Sequence, residues 1–278
     1  AFKEPVHTNG HEIKTSVSLG IATYPFAGQT PDELIMHADM AMYHAKEQGR
    51  DKYQFFNEAI NTEVTHKHVL SSHLIHAVEY DELSIVFQPQ CNIKTKKIVG
   101  VEALLRWNSK ELGVVSPSDF IKIAEESKLI IEIGEWALRR TCLLFSKITA
   151  EKNITNLHLS INISIKQFTS IGFSSLIKEV VDEYKLKPGI LILELTESSL
   201  LEVSQQTVKT IAELQSYGVS LALDDFGAGY SSLKYLQTLP VILIKIDRGF
   251  ICNIQKNQNE AAIVKAIVSL TNALEIDV

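Results

Sequence analysis

Cysteine is scarce in this 278-residue chain: Cys91, Cys142 and Cys252 lie far apart, and no C-x-x-C spacing occurs. That excludes a disulfide framework and a cysteine-ligated zinc site, and it suits a reducing, cytoplasmic setting. The three cysteines read as small core residues. Long apolar runs are missing too. No stretch approaches the roughly 18–20 uninterrupted apolar residues that a membrane-spanning helix needs, so any membrane attachment belongs to parts of the parent protein outside this chain. The first residues, Ala1-Phe2-Lys3-Glu4-Pro5, show neither an initiator Met nor a signal peptide and read as a cut from something longer. Basic residues are outnumbered, 27 Lys and Arg against 33 Asp and Glu, and the net charge of −6 argues against a nucleic-acid polymer as partner. A small anionic ligand would then need help from a cation. What is present, 45% apolar and 22% charged side chains, is the composition of a globular protein large enough for one big domain or two smaller ones.

The first ~55 residues read as strand, loop and helix. An extended segment covers Thr15 to Ala22, and Thr30-Pro31-Asp32-Glu33 supplies an N-cap, a first-turn proline and a capping-box glutamate for a helix over 31–48 that Gly49 stops. Ile35, Ala38, Met42 and Ala45 mark its packed face. Residues 57–82 read as a connecting helix carrying Val69, Leu70, Leu74, Ile75 and Ala77 at helical intervals. From 83 onward apolar strands at 84–89, 98–105, 157–163, 190–196, 219–225 and 241–247 are separated by helical patterns at 118–128, 133–149, 174–184, 203–217, 231–238 and 260–274. Only the first two strands lack an intervening helix, which predicts an antiparallel pair. Repeated βα units without a glycine-rich phosphate fingerprint predict an α/β fold of the TIM-type (β/α) barrel kind. The histidines at 37, 44, 66, 68, 73 and 76 have no spacing that closes a metal site and read as solvated.

In such a barrel chemistry sits at the C-terminal ends of the strands. A period of two lets Glu102, Asn162, Glu194, Asp224 and Lys245 point together into the mouth. Three carboxylates crowded there would raise one another's pKa until some took up protons, and a hard divalent cation resolves the conflict. Oxygen-only ligation favours Mg²⁺ or Mn²⁺ over zinc, and the adjacent Asp225 permits a second ion. Two such ions suit in-line phosphoryl displacement, with Lys245 orienting the water or stabilising developing charge.

These residues fall in strings that resemble a family. Glu102-Ala103-Leu104-Leu105-Arg106-Trp107 resembles the E-A-L-x-R-W signature of EAL domains, bacterial phosphodiesterases that cleave cyclic di-GMP. The match continues through Phe87-Gln88-Pro89, Ser116-Pro117-Ser118-Asp119-Phe120-Ile121, Asn162-Ile163-Ser164, Glu194-Leu195-Thr196-Glu197, Asp224-Asp225-Phe226-Gly227-Ala228-Gly229-Tyr230-Ser231-Ser232-Leu233 and Lys245-Ile246-Asp247. The resemblance implies that Glu102, Asn162, Glu194 and Asp224 bind the first metal, that Asp224 and Asp225 reach the second, and that Lys245 assists the nucleophilic water. It places Arg106 near a substrate phosphate, Gln88 in the substrate pocket, and Glu197 as an anchor for the loop 225–233; Asp247, at the end of its strand, is a further candidate for a substrate hydrogen bond. It also implies a homodimer through the EAL domain. The front segment is similar to the end of a GGDEF (diguanylate cyclase) domain through Ser16-Val17-Ser18-Leu19-Gly20-Ile21-Ala22 and the string Ala38 to Arg50, and that implies phosphate contacts by Lys46 and Arg50. The fold expected is therefore the C-terminal remnant of an α+β GGDEF domain over 1–56, a linker helix over 57–82, and over 83–278 an incomplete TIM-type barrel lacking its last two strands. A further metal-binding Glu of the family lies beyond Val278, and Asp277 stands where that strand begins.

Taken singly, each residue has an ordinary role. Glu102 or Glu194 could be an ion-pair partner, Asp225 a cap, Lys245 a counter-ion to Asp224, Arg106 a packing residue, Asp247 a turn residue, and Lys46 and Arg50 partners of a helix dipole. The ordered set favours metal-dependent hydrolysis of cyclic di-GMP to the linear dinucleotide in bacterial second-messenger signalling. The alternative is a catalytically silent module that senses cyclic di-GMP. Because the closing strands lie beyond Val278, this fragment alone is expected to be a weak enzyme or none.

Overall fold

The computed structural model describes residues 6–8, 11–13, 15–197, 205–228, 236 and 239–278. The chain divides into two compact units, Ala1–His73 and Leu74–Val278.

In the first unit β1 (Val6–Thr8) and β2 (His11–Ile13) pair antiparallel, and β3 (Leu19–Ile21) runs parallel to β4 (Tyr53–Phe55). The strand content of the segment 15–22 is thus confined to its last half. Helix α1 (Pro31–Glu47) starts as the sequence predicts: Thr30 Oγ1 accepts from Glu33 N, and Glu33 Oε2 accepts from Thr30 N. α1 packs so closely on β3 that a Cβ at Gly20 would collide with the Ala38 carbonyl oxygen. The buried face of α1 is Ala41 and Ala45, whereas Ile35 is exposed, because the close approach at Gly20 leaves room only for small side chains. Helix α2 (Glu58–Leu74) meets α1 through polar side chains: Lys67 Nζ forms an ion pair with Glu47 Oε2 at 2.6 Å, and His44 Nε2 lies 3.4 Å from Glu63 Oε2. His37 donates from Nδ1 to Ala27 O at 2.7 Å and stacks on Phe56, so neither His37 nor His44 is simply solvated.

The second unit is built on one sheet. Its elements are β5 (Leu83–Cys91), β6 (Ile98–Ser109), β7 (Gly113–Val115), α3 (Pro117–Ser127), α4 (Ile130–Glu151), β8 (His158–Asn162), α5 (Ile165–Phe168), α6 (Phe173–Glu183), β9 (Leu191–Thr196), α7 (Gln205–Ser216), β10 (Ser220–Phe226), β11 (Val241–Ile246), α8 (Arg248–Cys252) and α9 (Gln258–Ala273). The strand order is β11-β10-β9-β8-β6-β5, with β7 folded back on β6. β5 and β7 each pair antiparallel with β6, and the pairs β6–β8, β8–β9, β9–β10 and β10–β11 are parallel, as in a TIM-type (β/α) barrel. After α9 the chain returns to the sheet, where Asp277 N donates to Ile242 O at 3.0 Å and Asp277 O accepts from Ile244 N at 2.9 Å. The helical pattern expected at 231–238 falls almost wholly outside the described residues.

Alternation along the strands sets what each face does. Leu159 and Ile161, Leu191, Leu193 and Leu195, and Leu221 and Leu223 turn outward and pack against Leu138, Phe145, Ile177, Val180, Ile211 and Leu214 of the helices. Burying each such side chain contributes roughly 1.5–3 kcal/mol, so this outer layer carries the sheet and frees the inner positions for polar groups. Cys142 belongs to that layer, and burial pushes its thiol up to about 12; Cys91 and Cys252 are exposed and are not core residues.

One buried carboxylate braces the far end of β6. Glu82 is 8% exposed, and its Oε2 accepts from Trp107 Nε1 at 3.0 Å while Oε1 accepts from Lys110 N at 2.9 Å. Burial pushes its pKa up, but these hydrogen bonds outweigh burial and hold it below the usual carboxylate value. A depressed folded pKa contributes stability above the unfolded pKa and loses it as pH falls through the folded value. Glu82→Ala is therefore expected to lower unfolding free energy by about 2–3 kcal/mol at neutral pH. In urea unfolding the gap from wild type should shrink as the pH is taken below about 4; a gap that stays constant would show that ionised Glu82 is not the brace.

Candidate functional site

The inner face of the sheet gathers the polar residues at one end. Lys245 on β11 places Nζ 3.1 Å from Glu102 Oε2 on β6, 2.6 Å from Glu194 Oε2 on β9 and 2.9 Å from Asp224 Oδ2 on β10. Asn162 on β8 donates from Nδ2 to Glu102 Oε1 at 2.7 Å. Five strands thus contribute one side chain each. The register explains how: Glu102 pairs with Ser160, Asn162 with Glu194, and Asp224 with Thr196, so the polar positions climb two residues from β6 to β8, stay level to β9 and climb two again to β10. Strands tilted to a barrel axis need that stagger to bring side chains to one level.

β10 departs from strict alternation here. Leu223 pairs with Ile244 and Phe226 with Ile246, so Asp224 and Asp225 together oppose Lys245 alone. That is a β-bulge, and Asp225 takes its left-handed conformation at φ 53°. The bulge is why adjacent residues both come to the rim. Burial, then the Asp224 and Asp247 carboxylates, push the Asp225 pKa up.

Glu194 is the deepest member, 1% exposed. Burial raises its pKa and Glu102 adds to the rise, while Lys245 opposes both. Burial works against the charged form of Lys245, yet Glu194 and Asp224 hold its pKa above the ordinary lysine value. Charge balance in this cluster, expected of a divalent ion, is shared by Lys245. One ammonium against three carboxylates still leaves two negative charges. Carboxylate oxygens of Glu102, Glu194 and Asp224 lie within 4.8 Å of one another, and Glu194 Oε1 is buried with no hydrogen-bond partner among the described residues. An all-oxygen set with an unpartnered buried oxygen fits a hard divalent cation. A carboxylate only accepts, so Asn162 must turn its Nδ2 to Glu102, and its Oδ1 is left as a further oxygen donor.

The other candidates are placed as follows. Gln88 pairs with Glu102 across β5 and β6 and is exposed. Arg106 lies four residues along β6 from Glu102, half-buried, with Nη1 on the Leu105 carbonyl at 2.9 Å. Asp247 caps α8 through Oδ1, which accepts from Gly249 N at 2.7 Å. Glu197 is buried, and its Oε2 accepts from Gly227 N at 2.8 Å just after the bulge; the remainder of the loop 225–233 lies outside the described residues from 229 on. Lys46 and Arg50 are exposed in the first unit, away from this cluster in sequence and fold unit, with Arg50 in a left-handed conformation after α1. Sequence reasoning passed over Glu82, Gly134 and Gln167; only the last had a local signal, the Ser164-x-x-Gln167 box after β8.

Comparison with known proteins agrees with this architecture. The EAL domain family model matches residues 72–278, and the model described as "Diguanylate cyclase, GGDEF domain" matches residues 1–52. The chain is 38% identical over 277 residues to the bifunctional diguanylate cyclase/cyclic di-GMP phosphodiesterase MucR of Pseudomonas aeruginosa, covering 100% of this chain and 40% of that protein. It is 37% identical over 267 residues to the cyclic di-GMP phosphodiesterase PdeR of Escherichia coli, covering 96% and 40%. The chain therefore spans about two fifths of the length of these relatives. A solved structure described as the PaMucR phosphodiesterase in complex with c-di-GMP superimposes with a TM-score of 0.71 at 36% identity, over 75% of this chain and 84% of that one. No helix among the described residues is long and apolar enough to cross a membrane. With the sheet, the strand-end carboxylates and the family match in agreement, the chain belongs to the EAL domain family and carries a GGDEF-domain segment in front.

Proposed function

We propose that the full-length protein carrying this chain hydrolyses one phosphodiester bond of cyclic di-GMP to give the linear dinucleotide. The observation that carries the reading is the convergence of Glu102, Asn162, Glu194, Asp224 and Lys245 at one end of the EAL sheet. Glu102, Asn162, Glu194 and Asp224 would hold one Mg²⁺ or Mn²⁺, and Asp224 with Asp225 a second. When bound, such ions lower the pKa of water and neutralise charge on the phosphate. Lys245, kept protonated by its carboxylate neighbours, donates a hydrogen bond; it orients the attacking water oxygen or stabilises the charge that develops on the phosphoryl group. Arg106 is suited to a non-bridging phosphate oxygen and Gln88 to the substrate pocket. Glu197 holds the backbone after the bulge at Gly227, and so fixes where Asp224 and Asp225 stand.

Two measurements bear on this. Chelation should abolish cyclic di-GMP hydrolysis by the full-length protein, Mg²⁺ or Mn²⁺ should restore it, and Ca²⁺, with longer bonds and more ligands, should inhibit. Glu102→Gln should cut turnover on the order of 100-fold or more, and Lys245→Ala should lower kcat more than it raises KM. Full activity in chelator would overturn the metal reading, and tight binding of cyclic di-GMP with no turnover under any metal would point to a sensor instead. The second measurement is of stability. Lys245→Met leaves three carboxylates facing one another, so in chelator unfolding free energy should fall by on the order of 3 kcal/mol, and Mn²⁺ should offset the loss by mass action. An unchanged stability would show that Lys245 does not balance the cluster.

A further inference from the structure

The chain beyond Asn162 is held more firmly than a strand end requires. Ile163 N donates to Glu194 O at 2.9 Å, and Ser164 then caps α5. Ser164 Oγ accepts from Lys166 N at 3.2 Å, and Gln167 Oε1 reaches back to accept from Ser164 N at 3.1 Å. Gln167 is itself buried, 7% exposed. Its amide lies against α4 at Gly134, where a Cβ would collide with Gln167 Nε2. Glycine inside a helix costs about 1 kcal/mol relative to alanine, and Gly134 is the fifth residue of the 22-residue α4, inside its second turn. The helix gains nothing from it; the room it leaves is filled by the Gln167 amide. Gly134, Gln167, Asn162 and Glu194 line one cavity of about 300 Å³.

We infer that Gly134 and Gln167 are positioning residues for Asn162. Gly134 forms the seat, the Gln167 amide occupies it and fixes Ser164 N, and the turn so formed holds Asn162 with Nδ2 on Glu102 and Oδ1 left for a cation. Groups one step removed from a metal ligand typically change metal affinity 10–100-fold when lost, because they orient the ligand. The inference rests on the ligand role proposed above for Asn162. It predicts that Gly134 and Gln167 act through a single contact, so their losses do not multiply.

The test is calorimetric titration of Mn²⁺ into the full-length protein and its variants, with thermal unfolding followed alongside. Gln167→Ala and Gly134→Ala should each weaken Mn²⁺ binding about tenfold or more while unfolding stays cooperative. Gln167→Glu keeps an acceptor for Ser164 N and should stay within about threefold of wild type, since glutamate serves equally at this place in a capping box. The double variant Gly134→Ala/Gln167→Ala, in which the collision is removed, should bind no more weakly than Gln167→Ala alone. Wild-type Mn²⁺ affinity in Gln167→Ala, an equal loss in Gln167→Glu, or multiplied losses in the double variant would each overturn the inference while leaving the metal reading intact. A wild-type protein that binds no Mn²⁺ would sink the metal reading and the role of Asn162 with it.

Discussion

The contact on which this site depends is the Lys245 ammonium set among Glu102, Glu194 and Asp224. It joins β11 to β6, β9 and β10, strands far apart in sequence and not all adjacent in the sheet. Carboxylates this close repel, and removing Glu194 from water adds to the cost of its charge. Each would take up a proton or swing away unless positive charge stood between them. Lys245 supplies part of that charge and keeps the oxygens near one point. The two negative charges left over match one divalent ion, so on the proposed function the same geometry that stabilises the metal-free cluster would also receive Mg²⁺ or Mn²⁺. Ammonium and metal would then compete for the same oxygens, and metal entry would require Lys245 to give up some of its contacts.

The scaffold makes that crowding tolerable by separating its faces. Outward-facing Leu and Ile side chains of β8, β9 and β10 bury their area against the helices, so the sheet does not rely on its inner face for cohesion. Inner positions can then carry Ser160, Glu194 and Asp224 at little cost to the fold as a whole. Backbone devices finish the placement where alternation ends. The bulge at Asp224 and Asp225 brings two neighbouring carboxylates to the rim, Glu197 holds the chain after it, and Glu82 braces the end of the strand that bears Glu102 and Arg106.

Much of this was legible in the sequence, for identifiable reasons. The period of two in 98–105, 157–163 and 190–196 gave the inner face correctly, since strands buried on both sides must still alternate. Thr30-Pro31-Asp32-Glu33 announced the start of α1 because a capping box is a local interaction. The antiparallel β5–β6 pair followed from the short polar link between them. What was not legible depends on contacts between distant segments. No local pattern says that Gly134 is empty to admit Gln167 or that Trp107 meets Glu82; alternation brings Lys245 to the same mouth as the carboxylates but does not say that its ammonium touches three of them at once. The bulge is of the same kind: two adjacent aspartates allow it, but only the register against β11 requires it. The spacing of Ile35 predicts a packed residue, yet the approach of α1 to Gly20 buries Ala41 and Ala45 and leaves Ile35 exposed.

The central claim is that Lys245 and a divalent ion share one set of carboxylates. A crystal structure of the full-length protein grown with Mn²⁺, with anomalous scattering collected at the manganese edge, tests it most directly. The account predicts an anomalous peak bounded by Glu102, Asn162, Glu194 and Asp224, with Lys245 Nζ withdrawn from at least one of the three carboxylates it now contacts. A peak elsewhere, or none, with Lys245 still on all three would contradict it.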